Sequence, residues 1–407
     1  MLSNTEFLTM SGNLFTFTNY KSDCRIDINH TDDGRPLKRL RIKSDPSKPI
    51  RFAYTPQRGM VRINSAGSVT NDAVLDELLS LPDGNLDRLI NYFEKYGFII
   101  PISSTMYESY KSDDLFTIIR RMQYTIKLMT KIQEPQKDYM AILYLVCYLL
   151  FTEPVTITSL NNASYDTCPH KMWQYIKNTD LSSDNDLPIY PSKEVDATDQ
   201  YFLIPDGIKG NDYKLYFTEY YPGFNDTDPF GNPLHSNDIA FHEIRHLFKN
   251  ALGLPPRERQ VVEFFFHFQS DISPICNIGP CGLLKFSKSD VTERYKKFFD
   301  ASMKTALIDI AKTTLKTEID HAISAITPDY DTDRMSASWY IPDYIAGLYF
   351  SLFYMDSNMV IYRQCGNPTC GGFFRISTTN SKKRYCDDSC RNAASQRRHR
   401  QKKQSQQ

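Results

Sequence analysis

No excess of either charge marks this chain: 48 Lys and Arg offset 48 Asp and Glu across 407 residues, a formal net charge of +0. Taken alone, that balance argues against a nucleic-acid binder. The opening MLSNTEFLTMSGNLF lacks the basic start and apolar run of an export signal. No apolar run reaches the roughly 20 residues that span a bilayer. The two most apolar stretches, YMAILYLVCYLLF (Tyr139–Phe151) and YIAGLYFSLFYM (Tyr344–Met355), read as buried core helices. A Gly-rich phosphate loop, a dinucleotide fingerprint and a Gly-x-Ser-x-Gly elbow are all missing, so nucleotide-cofactor and serine-hydrolase chemistry have no motif to rest on. There is no solenoid-type repeat. The nine cysteines are odd in number and partly clustered; with no export signal they point to reduced thiols in a cytoplasm rather than to disulfides.

What is present is a globular composition, 41% hydrophobic and 13% aromatic, enough to bury a sizeable core over two or three domains. Residues 13–68 alternate apolar and polar side chains in LFTFTNY, CRIDINH, LKRLRIK, IRFAYT and MVRIN, separated by turn clusters such as DDGRP and DPSKP. That pattern predicts short antiparallel strands. From Asn71 the period becomes helical, with Asn71 and Asn85 as N-caps. Further helices are expected at about 113–133, 137–152, 238–253, 256–270, 290–326 and 339–356, and residues 178–199 form a polar loop. The expected fold is α+β: a β-rich segment over 1–68, a mainly helical body over 69–356, a finger over 357–400 and a disordered tail over 401–407.

The finger is the most specific signal. Cys365 and Cys370 form C-x4-C, and Cys386 and Cys390 form C-x3-C. Two close pairs of thiols joined by a longer connection suit a tetrahedral Zn2+ site. The segment is too short to bury its own core, so a bound metal, with roughly 10–16 kcal/mol of apparent binding energy, has to order it. NPTCGG supplies turn residues, FFRI a strand, STTNSKK a loop, and RNAASQRRHRQKK a helix with Asp387 and Asp388 at its N-terminus. A knuckle, a hairpin and a helix that carries the second ligand pair make a treble-clef-like arrangement.

From about Ser338 to Arg400 the sequence resembles the CGNR-type zinc-finger proteins of bacteria and related finger-tailed families. YIAGLYFSLFYMDSN leads through VIYRQC into CGNPTCGGFF and on to KKRYCDDSCRNAASQRRHR; YGFI (Tyr96–Ile99) is similar more weakly. The resemblance implies zinc ligation by Cys365, Cys370, Cys386 and Cys390 and a nucleic-acid-binding, transcription-related role. At the last ligand this chain has CRNA (Cys390–Ala393) in place of CGNR, keeping Asn392. The bulk of the chain before about residue 335 resembles no family, and the resemblance carries neither fold nor role over to it.

Between Lys382 and Lys403, nine Lys and Arg stand against two acids, so this stretch carries +7 and the rest of the chain −7. Arg391, Arg397, Arg398, Arg400, Lys402 and Lys403 would contact phosphates. Asn392 and Gln396 have side chains suited to adenine edges, and His399 lies among them. The reading is a DNA-binding, regulatory or stress-related protein whose body senses a small ligand or a protein partner, with no membrane contact. The bland readings are that the cations only stabilise the thiolates, form a solvated tail, or dock on an acidic surface of the same chain; the finger would then serve structure or protein interaction.

A second motif supports an enzyme instead. His242, Glu243 and His246 form H-E-x-x-H in NDIAFHEIRHLFKNALG. Imidazoles at i and i+4 share one helix face and can hold a metal, with Glu243 as general base, as in a peptidase-like zinc metallohydrolase. Glu263 or His267, on the next expected helix, supplies a third ligand. The structural alternative is a pair of hydrogen-bonded histidines, with Arg245 on a solvated side. Cys276 and Cys281 form a further C-x4-C without a partner pair and read as structural thiols.

Overall fold

Alternation at the start of the chain builds an antiparallel sheet in the computed structural model, which describes residues 15–30, 36–55, 59–64, 70, 74–177, 244, 247–248, 253–273, 275–278, 284–286, 291–332, 335–354, 360–367, 373–377 and 383–404. Strand β1 (Thr16–His30) pairs with β2 (Pro36–Thr55) along its length. The other edge of β2 takes β3 (Gly59–Ile63) and β4 (Glu108–Lys111), also antiparallel. Leu40, Ile42, Ile50 and Phe52 of β2 are buried, while Arg41 and Arg51 are exposed, as a half-buried strand of period two requires. The short strands expected from the sequence are here two long ones. DPSKP, expected as a turn, lies inside β2: the register shifts between Tyr20 and Lys21, which face Pro49 and Asp45. Asp45 accepts from the Ser47 amide at 3.1 Å and its hydroxyl at 2.6 Å, and Lys48 lies 2.8 Å away. Proline cannot donate to a ladder, so a bulge accommodates this stretch without ending the strand.

The chain forms two units. The first joins residues up to Thr130 with 154–168 and 318 onward; the second joins 131–153 with 169–317. In the first, α1 (Val74–Leu79), α2 (Leu86–Tyr96), α3 (Ser112–Gln133) and α9 (Tyr344–Phe353) share a core with the sheet through Leu78, Phe93, Ile118, Met122, Tyr344 and Tyr349. Each such side chain contributes about 1.5–3 kcal/mol on burial. Asn85 caps α2, accepting from the Arg88 amide at 3.0 Å. The helix stops at Gly97, whose φ is 84°, and a Cβ there would lie 2.4 Å from the Tyr20 carbonyl oxygen. Asn19 Nδ2 donates to the carbonyls of Tyr96 and Phe98 at 3.0 Å each, so the YGFI stretch is the point where α2 is tied to β1. In the same unit Arg121 and Glu318, 1% and 2% exposed, form a buried ion pair, and Arg121 also donates to the Cys168 carbonyl at 3.1 Å.

The second unit contains α4 (Tyr139–Phe151), capped by Asp138, α5 (Lys171–Lys177), and α6 (Pro256–His267), which runs on into a π-helical turn at Phe268–Ile272. Of the helix expected over 238–253 only Ile244, Leu247, Phe248 and Gly253 are described, the first three helical and buried. The helix expected over 290–326 is two, α7 (Val291–Phe298) and α8 (Ala301–Ala322). Asp300 breaks it by accepting from the Met303 amide at 2.9 Å as a cap. The helix expected from 339 starts only at Tyr344, since Ser336–Tyr340 pairs with Thr327–Asp331 as a hairpin. Pro342 disfavours a helical conformation at the residue before it, and Asp343 caps α9, accepting from the Ala346 amide at 2.7 Å. The 178–199 loop lies outside the described residues, and no described helix is long and apolar enough to cross a membrane.

Candidate metal centre and basic helix

A hairpin carries the first cysteine and a helix the last. Strands β5 (Val360–Gln364) and β6 (Phe373–Ser377) pair antiparallel, with Tyr362 opposite Arg375. Tyr362 is 3% exposed and belongs to the main core of the first unit, so β5 is anchored to the body. Cys365 follows β5 directly, Cys386 precedes α10 (Asp388–Gln404), and Cys390 lies in its first turn. The three sulfurs all lie within 4.8 Å of one another. Cys365 and Phe374 are buried, with Tyr385, Cys386 and Cys390 packed on them. Cys370 lies outside the described residues.

The surroundings favour thiolate. Burial opposes the charged form of Cys365, but amides of Cys386 and Asn367 and the neighbouring thiols donate to it, and the balance holds the thiol below its ordinary value. Asn367 is buried, its Nδ2 lies 3.6 Å from the Cys390 sulfur, and its Oδ1 accepts from Arg397 at 3.4 Å. The Gly366 amide donates to the Arg384 carbonyl at 2.8 Å, and a Cβ at Gly366 would press on that oxygen at 3.0 Å. Asp387 caps α10, accepting from the Cys390 amide at 2.7 Å and the Ser389 hydroxyl at 2.8 Å; these bonds hold its carboxyl below the usual range. Sequence reasoning missed Gly366 and Asn367 as working residues. The only signal was a small residue and an amide directly after a ligand cysteine.

The helix presents two sides. Cys390, Ala394 and Arg397, at i, i+4 and i+7, turn inward: Ala394 is buried and Arg397 half-buried against Asn367. Arg397, expected at a phosphate, donates to the Asn367 side chain here. Arg391, Asn392, Gln396, Arg398 and Arg400 are exposed, as are Lys383 and Arg384 just before the helix. Arg391 lies 3.3 Å from Asp388, and Arg398 donates to the Tyr385 hydroxyl at 3.1 Å. Lys402 and Lys403 fall on α10, which runs through Gln404, past the expected start of a disordered tail at 401.

His242, Glu243 and His246 lie outside the described residues, as does Cys281. Glu263 is wholly buried on α6; burial pushes its carboxyl up to about 9 against the pull of Arg259. Burial pushes the neighbouring His267 down to about 3. Cys168, in the first unit, is a buried thiol pushed up to about 12 by burial, then by Glu318, the opposite of the environment at Cys365.

No curated protein matches this chain, and no solved structure does. Residues 362–403 match the family model described as CGNR zinc finger. The three converging cysteines, most of the hairpin and all but the last residue of the basic helix fall inside that stretch, and the chain carries a C-terminal CGNR-type zinc finger.

Proposed function

We propose that the C-terminal segment is a zinc-held module that binds nucleic acid, with DNA as its polyanion, and that the protein is regulatory or stress-related. The observation that carries the reading is the pairing of a thiol cluster with an exposed cationic side of the helix it anchors. Three thiols within 4.8 Å, one held toward thiolate by amide donors, are a soft donor set that fits Zn2+, and Cys370 completes four by its spacing. The metal, when bound, supplies a cross-link between the hairpin and α10, the treble-clef-like arrangement. Asn367 donates to the Cys390 sulfur and Asp387 caps the helix, so α10 leaves the site at a set angle. Its outer side then offers Arg391, Arg398 and Arg400 to phosphates, and Asn392 and Gln396 to base edges. A ligand-sensing role for the body is favoured by a cavity of about 230 Å³ in the second unit, lined by His170, Lys171, Arg257, Glu258 and Thr313.

The test is a titration of the full chain against duplex DNA and duplex RNA at low salt, beside Arg391→Gln/Arg398→Gln/Arg400→Gln. The reading expects tight binding of DNA by the wild type and a large loss in the variant. Undetectable wild-type binding, or equal affinity in the two proteins, returns the finger to a structural or protein-interaction role.

A further inference from the structure

The side of the N-terminal sheet turned away from the core gathers cations. Along β2, Leu40 and Ile42 are buried in the core, so Arg39, Arg41 and Lys43 share the opposite side. Strand pairing brings more charge to that side. Arg25 of β1 stands directly opposite Arg41, Asp27 opposite Arg39 and Asp23 opposite Lys43. On the other edge of β2, Lys111 of β4 faces Arg39 and Ser109 faces Arg41. Five cations on three adjacent strands thus meet two carboxylates, and Arg25, Arg41 and Lys111 are exposed.

Part of this charge is already committed. Arg39 donates to the Ser109 hydroxyl at 2.8 Å and to its carbonyl at 3.2 Å. Asp114, in the first turn of α3, acts on Lys111 and Arg39. Arg25, Arg41 and Lys43 differ: all three crowd the ring of Tyr107, at 4.5, 5.6 and 5.2 Å from its centroid. The Tyr107 hydroxyl donates to Asp23, and Arg25 lies 3.9 Å from that carboxylate. One ring and one carboxylate therefore serve three cations. Two of the three are like charges set directly opposite across the ladder, which costs stability. An anion laid over this patch relieves the repulsion.

We propose that this side of the sheet is a second nucleic-acid surface and that its partner is a single strand. The major groove of a duplex admits a helix or a two-stranded ribbon, whereas these cations are spread over three strands. A single strand running along β2 meets Arg39, Arg41 and Lys43 at successive outward positions, about 6.8 Å apart. Its phosphates pair with those cations, and its bases can stack on the guanidinium planes of Arg25 and Arg41. The finger reading concerns duplex DNA and a different surface, so neither depends on the other.

The test is fluorescence anisotropy of a labelled oligothymidylate with the full chain carrying Arg391→Gln/Arg398→Gln/Arg400→Gln, which silences the outer side of α10. That protein should bind the oligonucleotide at low salt. Adding Arg25→Gln/Arg41→Gln/Lys43→Gln removes three phosphate partners. Together they contribute about −2.1 to the slope of log K against log salt, or about 18-fold between about 50 and 200 mM. The combined variant should bind more weakly and with a slope flatter by that amount. Circular dichroism verifies the sheet; should the combined variant unfold, Arg41→Gln alone should flatten the slope by about 0.7. No binding by the first protein at low salt, or equal slopes with and without the sheet substitutions, overturns the surface. Capture by phosphatidylserine vesicles in place of the oligonucleotide overturns the choice of partner.

Discussion

The salt dependence of nucleic-acid binding can be worked from the finger itself. Among the described side chains, five cations in and beside α10 are exposed: Lys383, Arg384, Arg391, Arg398 and Arg400. Each phosphate neutralised contributes about −0.9 to the slope of log K against log salt, so five predict a slope of about −4.5 and about 500-fold weaker binding between about 50 and 200 mM salt. Replacing Arg391, Arg398 and Arg400 by Gln leaves two, for a slope of about −1.8 and a loss of about 12-fold over the same interval. Arg397→Gln should leave the slope unchanged, because that side chain is turned to Asn367; its effect should appear instead as faster metal loss to a chelator. Asn392→Ala should change sequence preference and not slope. Fluorescence anisotropy with a labelled duplex at several salt concentrations reads all of these. Equal slopes in wild type and triple variant, or a slope that drops with Arg397→Gln alone, would refute the assignment of inner and outer sides.

Three further outcomes concern the body. Glu318→Leu strands the Arg121 guanidinium in the core and should cost about 3–5 kcal/mol in urea unfolding, whereas Arg121→Met/Glu318→Leu together should cost far less. Asp343 is pushed up to about 6 by burial, against the Ala346 amide; the folded state thus holds more protons than the unfolded one between about pH 4 and 6, and stability should fall as pH rises through that window. Asp343→Asn keeps the cap and should flatten this dependence, raising stability at pH 7 by roughly 1–2 kcal/mol in thermal or urea melts. Gly97→Ala places a methyl against the Tyr20 carbonyl at a positive φ and should cost more than about 1 kcal/mol, read as a lowered melting temperature.

Features set by near neighbours were legible in the sequence. The Asn85 cap, the helices near 113–133 and 137–152, the finger strands and the basic helix each follow from a local pattern, and the structure has them close to the expected bounds. Features set by distant partners were not. The 36–55 strand survives Pro46 and Pro49 because β1 pairs on both sides of the bulge, which no local turn signal reveals. The break at Asp300 and the hairpin before Pro342 turn on single caps within strongly helical composition. At the finger, cysteine spacing marked the ligands, but the contacts of Asn367 to Cys390 and Arg397 exist only once the hairpin and α10 meet. Likewise the burial of Glu263 is a property of the packed core around α6.

Cobalt substitution of the full chain tests the central claim most directly, because thiolate-to-cobalt charge-transfer bands report sulfur ligation and are silent for imidazole and carboxylate ligands. The account predicts strong bands that diminish on Cys370→Ser and vanish on Cys386→Ser/Cys390→Ser, while Cys147→Ser and Cys168→Ser leave them intact. Absence of such bands in fully reduced wild-type protein, or bands indifferent to the finger cysteines, would contradict it.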